Sequence, residues 1–222
     1  MINHLHQVKV FAPATSANFM VGFDILGFAV NNLGDEVTVE KSSDNHMNIL
    51  SITGVDDIPY EVQKNTATVA LQKMLDYLDL RQGFNLHIKK NIPLSSGLGG
   101  SAASSVAALV ALNRFLNNPI SLEQLAEFAL DGEKAACGTK HGDNVIPCLF
   151  GGMTLIHSLN PVDVIPLPLI PLYVVLFHPH LHLDTRKSRA VLKQNISLAS
   201  HVKQSSHLGT FLSALYDNNY ER

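Results

Sequence analysis

A glycine-rich segment at residues 93–105, PLSSGLGGSAASS, joins a strand-like stretch to an apolar stretch of helical character. Its glycines, Gly97, Gly99 and Gly100, permit left-handed backbone and close approach, so successive N–H groups can point at one anion. The first turn of the following helix adds unpaired N–H groups and the positive end of its dipole, which together favour a polyphosphate. The alternative interpretation is a tight turn before a buried helix.

Two common nucleotide motifs do not match this segment. The Walker-type phosphate loop requires a lysine after its last glycine, and none follows Gly100. The spacing GLGGS does not fit the dinucleotide fingerprint GxGxxG. The sequence therefore supports neither a Walker-type phosphate loop nor a dinucleotide-binding motif.

Histidines and cysteines give weaker signals. The run HPHLHLD contains His178, His180, His182 and Asp184, and in a strand the three histidines would share one face, as a zinc site could require. No second ligand cluster is visible in the sequence, so a zinc site is not expected. The cysteines, at positions 137 and 148, lack paired spacing and are expected to be small core residues in a reducing cytosol.

The composition is that of an ordinary globular protein, with 222 residues of which 46% are hydrophobic and 16% are charged. A net charge of −3 and a pI near 6.4 provide no basic surface for a nucleic-acid backbone. The N-terminus lacks the features of a secretory signal, and the longest apolar run, 162–177, is too short for a membrane span and contains prolines and Asp163. These features predict a cytoplasmic protein without nucleic-acid or membrane partners.

Hydrophobic periodicity predicts the elements that must position the glycine-rich segment. Alternation predicts strands at 8–12, 35–40, 84–89, 153–157 and 172–177, with a turn at 41–46. Helical spacing predicts a helix from Asn65 or Thr66 to about 81–83 and a buried helix over 101–115. A third helix is predicted from the capping box at Ser121 to beyond Glu133. Residues 138–147 are predicted to be irregular. Because strands and helices mix without strict βαβ alternation, an α+β fold is predicted.

The glycine-rich segment resembles the second motif of the GHMP small-molecule kinases, P-x-x-x-G-L-G-S-S-A-A, with Gly100 in place of the first serine and Ser101 matching the second. Residues 8–30, VKVFAPATSANFMVGFDILGFAV, resemble the N-terminal signature of the homoserine kinases within that superfamily. The blocks EKAACGTKHGDNVIPCLFGG at 133–152 and LDTRKSRAVL at 183–192 resemble the same family. Together these motifs follow the family's order along most of the chain.

This resemblance implies a two-domain GHMP kinase fold, with a mixed α/β nucleotide-binding domain over residues 1–165 and an incomplete ferredoxin-like domain over 166–222. It implies transfer of a phosphoryl group from ATP, with Mg²⁺, to the side-chain hydroxyl of L-homoserine, giving O-phospho-L-homoserine in threonine biosynthesis.

The resemblance also assigns roles to individual residues. The nucleotide is assigned to Asn65, Pro93, Leu94, Ser95, Ser96, Gly97, Leu98, Gly99, Gly100, Ser101, Ala102 and Ala103. Asn65 matches a region near the adenine, although it can equally be a helix N-cap, and the two roles can coexist. Mg²⁺ is assigned to Ser101 and Glu133, and the alternative for Glu133 is a surface helix carboxylate.

The positions that match the substrate site of the family are Asn18, Asp24, His141, Asn144, Thr185 and Arg189. A zwitterionic amino acid needs a carboxylate near its ammonium and a cationic fork near its carboxylate, which Asp24 and Arg189 offer. Arg186 and Lys187 are alternatives for the second contact. Taken singly, Asp24 can be a turn residue, Arg189 a solvated helix charge and Asn18 a cap.

Asn144 bears on both the acceptor and the mechanism. In mevalonate kinase-like relatives its place, eleven residues after Glu133, is held by an aspartate that can accept the hydroxyl proton, and an amide cannot do so. The asparagine therefore favours homoserine over mevalonate or galactose. It also implies a reaction without a dedicated side-chain base, which phosphoryl transfer tolerates.

The resemblance ends before the family's third, SGSGP-like motif, which nothing after Thr185 matches. On this ground the sequence predicts an incomplete C-terminal domain, weak MgATP binding and little turnover. It also predicts an uncovered sheet edge that favours aggregation or a homodimer. Two other functions stay open: another GHMP kinase, which would favour a carboxylate at position 144, and a catalytically silent protein that binds a partner or metabolite in the same pocket.

Overall fold

The computed structural model of the chain describes residues 2–138, 140–169, 171–177, 185–193, 195–219 and 221–222, with only the backbone described for 135–137 and 185–187. Its strands are β1 (Gln7–Ala17), β2 (Leu26–Lys41), β3 (Met47–Thr53), β4 (Phe84–Lys89), β5 (Met153–Leu159) and β6 (Val162–Leu167). Its helices are α1 (Thr66–Tyr77), α2 (Gly100–Phe115), α3 (Leu122–Cys137), α4 (Gly142–Phe150), α5 (Thr185–Ala190) and α6 (Leu198–Tyr216).

One sheet runs in the order β3-β4-β2-β5-β6, and β1 pairs with β2 outside this path. The long strand β2 joins the two halves: Glu36–Lys41 pairs antiparallel with β4, whereas Leu26–Phe28 pairs antiparallel with β5. Among the described strands, β3 and β4 alone are parallel. This mostly antiparallel sheet with separate helices confirms the predicted α+β class.

The core lies between this sheet and helices α1 to α3. Strand alternation sends Val37 and Val39 of β2 inward, together with Phe84 and Leu86 of β4, and all four are fully buried. Helix α2 packs against β1 and β2, and most of its side chains are buried. Each large apolar side chain buried there stabilises the fold by about 1.5–3 kcal/mol. The start of α2, where the glycine-rich segment ends, is thereby fixed on the sheet.

Several helix boundaries agree with the sequence. Asn65 is the N-cap of α1 and accepts a hydrogen bond from the N–H of Ala67 at 3.1 Å, and the capping box at Ser121 is present in α3. Helix α1 nevertheless ends at Tyr77, so the prediction of an end near 81–83 was wrong. Asp79 has φ +47°, and the N–H of Leu80 donates to the carbonyl of Leu75 at 3.0 Å, which closes the helix early.

The predicted irregular stretch at 138–147 was also wrong, because residues from Gly142 onward form α4. Pro147 lies inside this helix and removes one N–H donor. The helix persists because it is packed into the core, with Val145 and Ile146 fully buried, and because its last turn is closed by the N–H of Gly151 on the carbonyl of Pro147 at 2.9 Å. Burial outweighs the local proline signal here.

The apolar run at 162–177 divides into two parts. Its first part is β6, whereas residues 172–177, predicted as a strand, form none, and no described strand pairs with them. Their alternation survives in exposure: Tyr173, Val175 and Phe177 are almost fully exposed, whereas the residues between them are about half buried. A strand needs a hydrogen-bonded neighbour, so alternation alone did not suffice.

Some sequence predictions lie outside the described residues: the histidine-rich run at 178–184 and the side chain of Cys137. Cys148 is buried with a free thiol, as expected for a core cysteine. Among the described helices, none offers a stretch that is both long and apolar enough to cross a bilayer.

A second apolar cluster holds the loop between β1 and β2. Leu215 of α6 packs with Leu26 and Met153, and the ring of Phe211 lies 5.5 Å from that of Phe19. Helix α6 thus covers the loop that contains residues 18–24.

Candidate functional site

The glycine-rich segment forms an open loop that ends at the first turn of α2. Gly97 and Gly99 have φ values of +73° and +69°, in the left-handed region that the sequence predicted for them. Gly99 is the N-cap of α2 without a side-chain cap, and the first helical bond runs from the N–H of Ala103 to the carbonyl of Gly99 at 2.8 Å. The first-turn N–H groups before Ala103 therefore have no helical acceptor and are available to an anion.

Three segments meet at Gly99. A Cβ atom there would lie 2.2 Å from Oγ1 of Thr15 on β1 and 3.0 Å from Oδ1 of Asn144 on α4. The hydroxyl of Thr15 donates to Oδ1 of Asn144 at 2.8 Å, and the N–H of Thr15 donates to the carbonyl of Leu98 at 3.0 Å. Gly99 thus has both a conformational and a steric reason to be glycine.

The loop forms one wall of a cavity of about 630 Å³. The predicted site residues that line it are Asn65, Pro93, Leu94, Ser95, Ser96, Gly97, Gly99, Gly100, Ser101, Glu133 and Asn144. The other three residues of the predicted nucleotide set lie behind the loop, where Ala102 and Ala103 are fully buried and Leu98 packs on the core. The segment around Asn65 forms the opposite wall, so Asn65 both caps α1 and faces the cavity.

Ser101 and Glu133 meet inside this cavity. The hydroxyl of Ser101 donates to Oε2 of Glu133 at 2.7 Å, and the carbonyl of Ser101 accepts from the hydroxyl of Thr66 at 3.3 Å. Two protein oxygens beside a loop with free N–H groups fit Mg²⁺, which takes few protein ligands and completes its shell with phosphate and water oxygens. Larger clusters of potential metal ligands do not occur among the residues that the structure describes.

A second polar cluster lies around Asp24. Nη1 of Arg189 donates to Oδ2 of Asp24 at 2.9 Å, and Nη2 of Arg189 bonds to the other oxygen, so the pair is bidentate. Oδ1 of Asn18 accepts a hydrogen bond from the N–H of Asp24 at 2.8 Å. Nδ1 of His141 lies 3.9 Å from Oδ1 of Asp24. The guanidinium of Arg189 lies 5.0 Å from the centre of the Phe23 ring. Asp24 has φ +64°, so it is a turn residue as well as a charged partner.

Four of the six predicted substrate residues are therefore together in this second cluster: Asn18, Asp24, His141 and Arg189. Asn144 instead faces the cavity beside the glycine-rich loop. Thr185 is the first residue of α5, which carries Arg189, but its side chain lies outside the described residues, as do those of Arg186 and Lys187. Helix α4 connects the clusters, since its N-cap, His141, lies near Asp24 and its first turn carries Asn144.

Comparisons with known proteins identify the family of the chain. The family described as GHMP kinases N terminal domain matches residues 65–152. The homoserine kinase of Chlorobium phaeobacteroides is 41% identical over 98% of this chain and 72% of its own length, and that of Xylella fastidiosa is 43% identical over 97% and 67%. The chain belongs to the homoserine kinase family. It spans about 67–72% of the length of these two relatives.

A solved member of the homoserine kinase family has the same fold. The crystal structure of homoserine kinase from Cytophaga hutchinsonii superposes with a TM-score of 0.89 at 40% identity, covering 99% of this chain and 70% of that one. Mevalonate kinase of Methanococcus jannaschii superposes with a TM-score of 0.57 at 17% identity over 74% of this chain, which is a likeness of fold alone. The predicted GHMP kinase fold is thereby confirmed.

Sequence reasoning did not single out Asp143, which lies next to the Asp24 cluster. It is 4% exposed and precedes Asn144 on α4. Burial raises the pKa of the Asp143 carboxyl, the charge of Asp24 raises it further, and His141 and Arg189 oppose both effects. A carboxyl that is costly to ionise thus lies beside the Asp24 cluster.

Lys90 and Asp35 were missed as well. They form an ion pair beneath the glycine-rich loop, with side chains only 3% and 0% exposed. Burial lowers the pKa of Lys90, and the adjacent Asp35 carboxylate opposes that effect. Strand alternation offered a signal, because it places Asp35 on the same inward face as Val37 and Val39, and Lys90 on that of Leu86 and Ile88. Burial also raises the pKa of the nearby Cys148 thiol to about 12, so that thiol stays protonated.

Proposed function

We propose that this chain transfers the γ-phosphoryl group of ATP to the side-chain hydroxyl of L-homoserine. The observation that carries the proposal is the position of α4 between two different sites. Asn144 lies against the loop with free first-turn N–H groups, whereas His141, one turn earlier, lies beside the Asp24–Arg189 pair. A phosphate donor and a zwitterionic acceptor would therefore bind on adjacent sides of one helix.

The nucleotide is expected in the cavity beside residues 93–101. Backbone N–H groups at the start of α2 would donate hydrogen bonds to the phosphate oxygens, and the positive end of the helix dipole favours their negative charge. The wall that contains Asn65 would face the base. This arrangement leaves the terminal phosphate near Asn144.

A magnesium ion is proposed at Ser101 and Glu133, whose side-chain oxygens meet at 2.7 Å. When bound there with the nucleotide, the ion would offset charge on the phosphate oxygens. The hydroxyl of Ser101 donates to Oε2 of Glu133, so the two oxygens are already held together for a shared ligand.

The substrate would exchange an existing ion pair. Asp24 and Arg189 satisfy each other, and each side chain is about 30% exposed, so an incoming amino acid can reach both. Its ammonium would take the place of the guanidinium on Asp24, and its carboxylate would take the place of Asp24 on Arg189. His141 and Phe23 would fix the positions of the separated partners.

Asn144 would orient the reaction without acting as a base. Its Oδ1 is engaged by the hydroxyl of Thr15, and an amide cannot accept the proton of the substrate hydroxyl. The bond from the γ-phosphorus to ADP breaks as the bond to the substrate oxygen forms, and the proton leaves to the phosphate or to water. Positioning and charge stabilisation supply most of the acceleration in such reactions.

The proposal extends to the finer setting that the family resemblance implies. The reaction would belong to threonine biosynthesis in the cytoplasm, and residues 1–165 and 166–222 would form the two domains of the family fold.

A single-turnover assay tests the proposed function, because it detects transfer even when turnover is slow. Chain in excess of γ-labelled MgATP should transfer label to L-homoserine and not to L-serine, whose hydroxyl is one carbon shorter, nor to mevalonate. The variant Asp24→Asn should lose transfer while still binding MgATP. Failure of L-homoserine to accept label would contradict the proposal.

A further inference from the structure

A buried ion pair lies directly beneath the proposed phosphate site. Asp35 lies on β2 and Lys90 directly follows β4, one step beyond the cross-strand pair Glu36 and Lys89. Their side chains are 0% and 3% exposed, and Nζ of Lys90 bonds directly to Oδ2 of Asp35. Neither of them belongs to the Asp24 cluster.

Asp35 fixes the chain where it enters the loop. Its Oδ1 accepts hydrogen bonds from the N–H groups of Asn91 at 2.8 Å and Ile92 at 3.0 Å, the two residues before Pro93. The side chain of Asn91 adds a bond to the carbonyl of Gly34 at 2.8 Å. The start of the glycine-rich loop is thereby tied to Gly34 and Asp35 of β2.

Lys90 fixes the chain where it leaves the loop. Besides Asp35, its Nζ donates to the carbonyl of Gly100 at 2.5 Å and to Oγ of Ser104 at 2.8 Å. Both acceptors lie in the first turns of α2. One ion pair therefore connects the two ends of the glycine-rich loop.

The bond to Gly100 has a consequence for anion binding. The carbonyl of Gly100 and the N–H of Ser101 belong to one peptide plane, and in a trans peptide they point in opposite directions. A carbonyl held toward the buried Nζ of Lys90 therefore aims the N–H of Ser101 away from the core. That N–H belongs to the group proposed to bind phosphate.

We infer that Lys90 and Asp35 act as positioning residues that hold the glycine-rich loop in its phosphate-binding geometry before the nucleotide arrives. This inference rests on the proposed function. The pair is electrically neutral as a unit, so it adds little net charge to attract phosphate. Stability alone is a poor explanation, since a buried ion pair is often no more stabilising than apolar residues of similar volume.

The main test replaces both partners together. The double variant Lys90→Met with Asp35→Asn avoids an unpaired buried charge and keeps an oxygen for the N–H groups of Asn91 and Ile92. Amide hydrogen exchange of residues 94–101, measured without nucleotide, should be faster than in the unsubstituted chain. MgATP should bind about tenfold more weakly, as for loss of a charged hydrogen bond, whereas binding of L-homoserine should not change.

A matched pair of single variants keeps the test decisive if the double variant does not fold. Ser104 contacts Lys90, whereas the neighbouring Ser105 is equally buried but donates only within its own helix, to the carbonyl of Ala102 at 3.0 Å. Ser104→Ala should speed loop exchange and weaken MgATP binding by a few-fold, and Ser105→Ala should do neither.

The outcomes separate the two claims. Unchanged loop exchange and MgATP affinity in the double variant, or equal effects of Ser104→Ala and Ser105→Ala, would overturn the positioning role. If the unsubstituted chain bound no MgATP, the proposed function would fail, and the nucleotide-free exchange data would still decide whether the pair orders the loop. A direct contact between Lys90 and the nucleotide could not change exchange in its absence.

Discussion

The glycine-rich loop and the Asp24 cluster are built in opposite ways. The loop is a contiguous stretch fixed at both ends by the Asp35–Lys90 pair, whose side chains are at most 3% exposed. The cluster joins residues 165 positions apart in the chain, and its ion pair is about 30% exposed on both sides. The first region is suited to a rigid anion site, and the second to a site whose partners separate when a ligand enters.

This difference in construction suits the two ligands of the proposed reaction, a polyphosphate and an amino acid. A polyphosphate is recognised by many weak N–H contacts that must point in fixed directions, so its site benefits from being preformed. A zwitterionic amino acid can instead be recognised by exchange of one ion pair for two. Variants that affect one region and not the other test this comparison.

The largest effect is expected for Gly99→Ala. An alanine there would adopt a strained left-handed conformation, and its Cβ would lie 2.2 Å from Oγ1 of Thr15. Displacement of the loop should weaken MgATP binding about a hundredfold, which corresponds to about 3 kcal/mol, with L-homoserine binding unchanged. Calorimetric titration measures both affinities.

Gly97→Ala is the matched control, because Gly97 has a similar φ of +73° but nothing lies within 4 Å of its Cβ position. It should cost about 1 kcal/mol of backbone strain in stability and weaken MgATP binding less than Gly99→Ala does. Equal losses of MgATP affinity in both variants would show that the contact with Thr15 and Asn144 is unimportant.

A smaller effect is expected for Arg189→Ala, which removes the bidentate partner of Asp24. L-homoserine affinity should fall about tenfold or more, as expected for a charge-assisted hydrogen bond, while MgATP affinity stays the same. Arg189→Lys keeps the charge and should recover only part of the loss, because a lysine cannot form the fork. Full recovery would indicate that charge alone matters.

The next effect concerns the metal. Glu133→Gln keeps a partner for Ser101 but removes the carboxylate charge, so the Mg²⁺ concentration that half-saturates nucleotide binding should rise several-fold. Binding of metal-free ATP should change little or improve. An unaltered Mg²⁺ requirement would remove Glu133 from the metal site.

The smallest effect is a change in stability. Because burial and Asp24 raise the pKa of Asp143, the folded state binds its proton more tightly than the unfolded chain does. Stability is therefore lost as pH rises from the ordinary carboxyl pKa through the raised one. Asp143→Asn should raise the melting temperature at pH 8 and have no such effect below pH 4; a destabilised variant at pH 8 would contradict this.

The sequence correctly predicted features that depend on short-range patterns. The strand at 84–89, the capping box at Ser121 and the glycines at 97 and 99 all follow from short-range patterns, and all are confirmed. Strand register is not local, so the sequence could not show that Asp35 lies opposite Lys90, although alternation marks both as inward-facing.

Burial also overrode local signals. Pro147 lies within a helix because α4 is packed into the core. Residues 172–177 alternate in exposure but form no strand, because no described strand lies beside them. The meeting of Asp24 with Arg189 could be expected from the family resemblance but not from spacing. The domain boundary near 165 and a homodimer stay predictions.

The most direct test of the two-site account is one calorimetric experiment with two ligands and three proteins. MgATP and L-homoserine are each titrated into the unsubstituted chain, Gly99→Ala and Arg189→Ala. The account predicts that the first variant loses affinity for MgATP alone and that the second loses affinity for L-homoserine alone. Loss of both affinities in either folded variant, or retention of both in each, would contradict it.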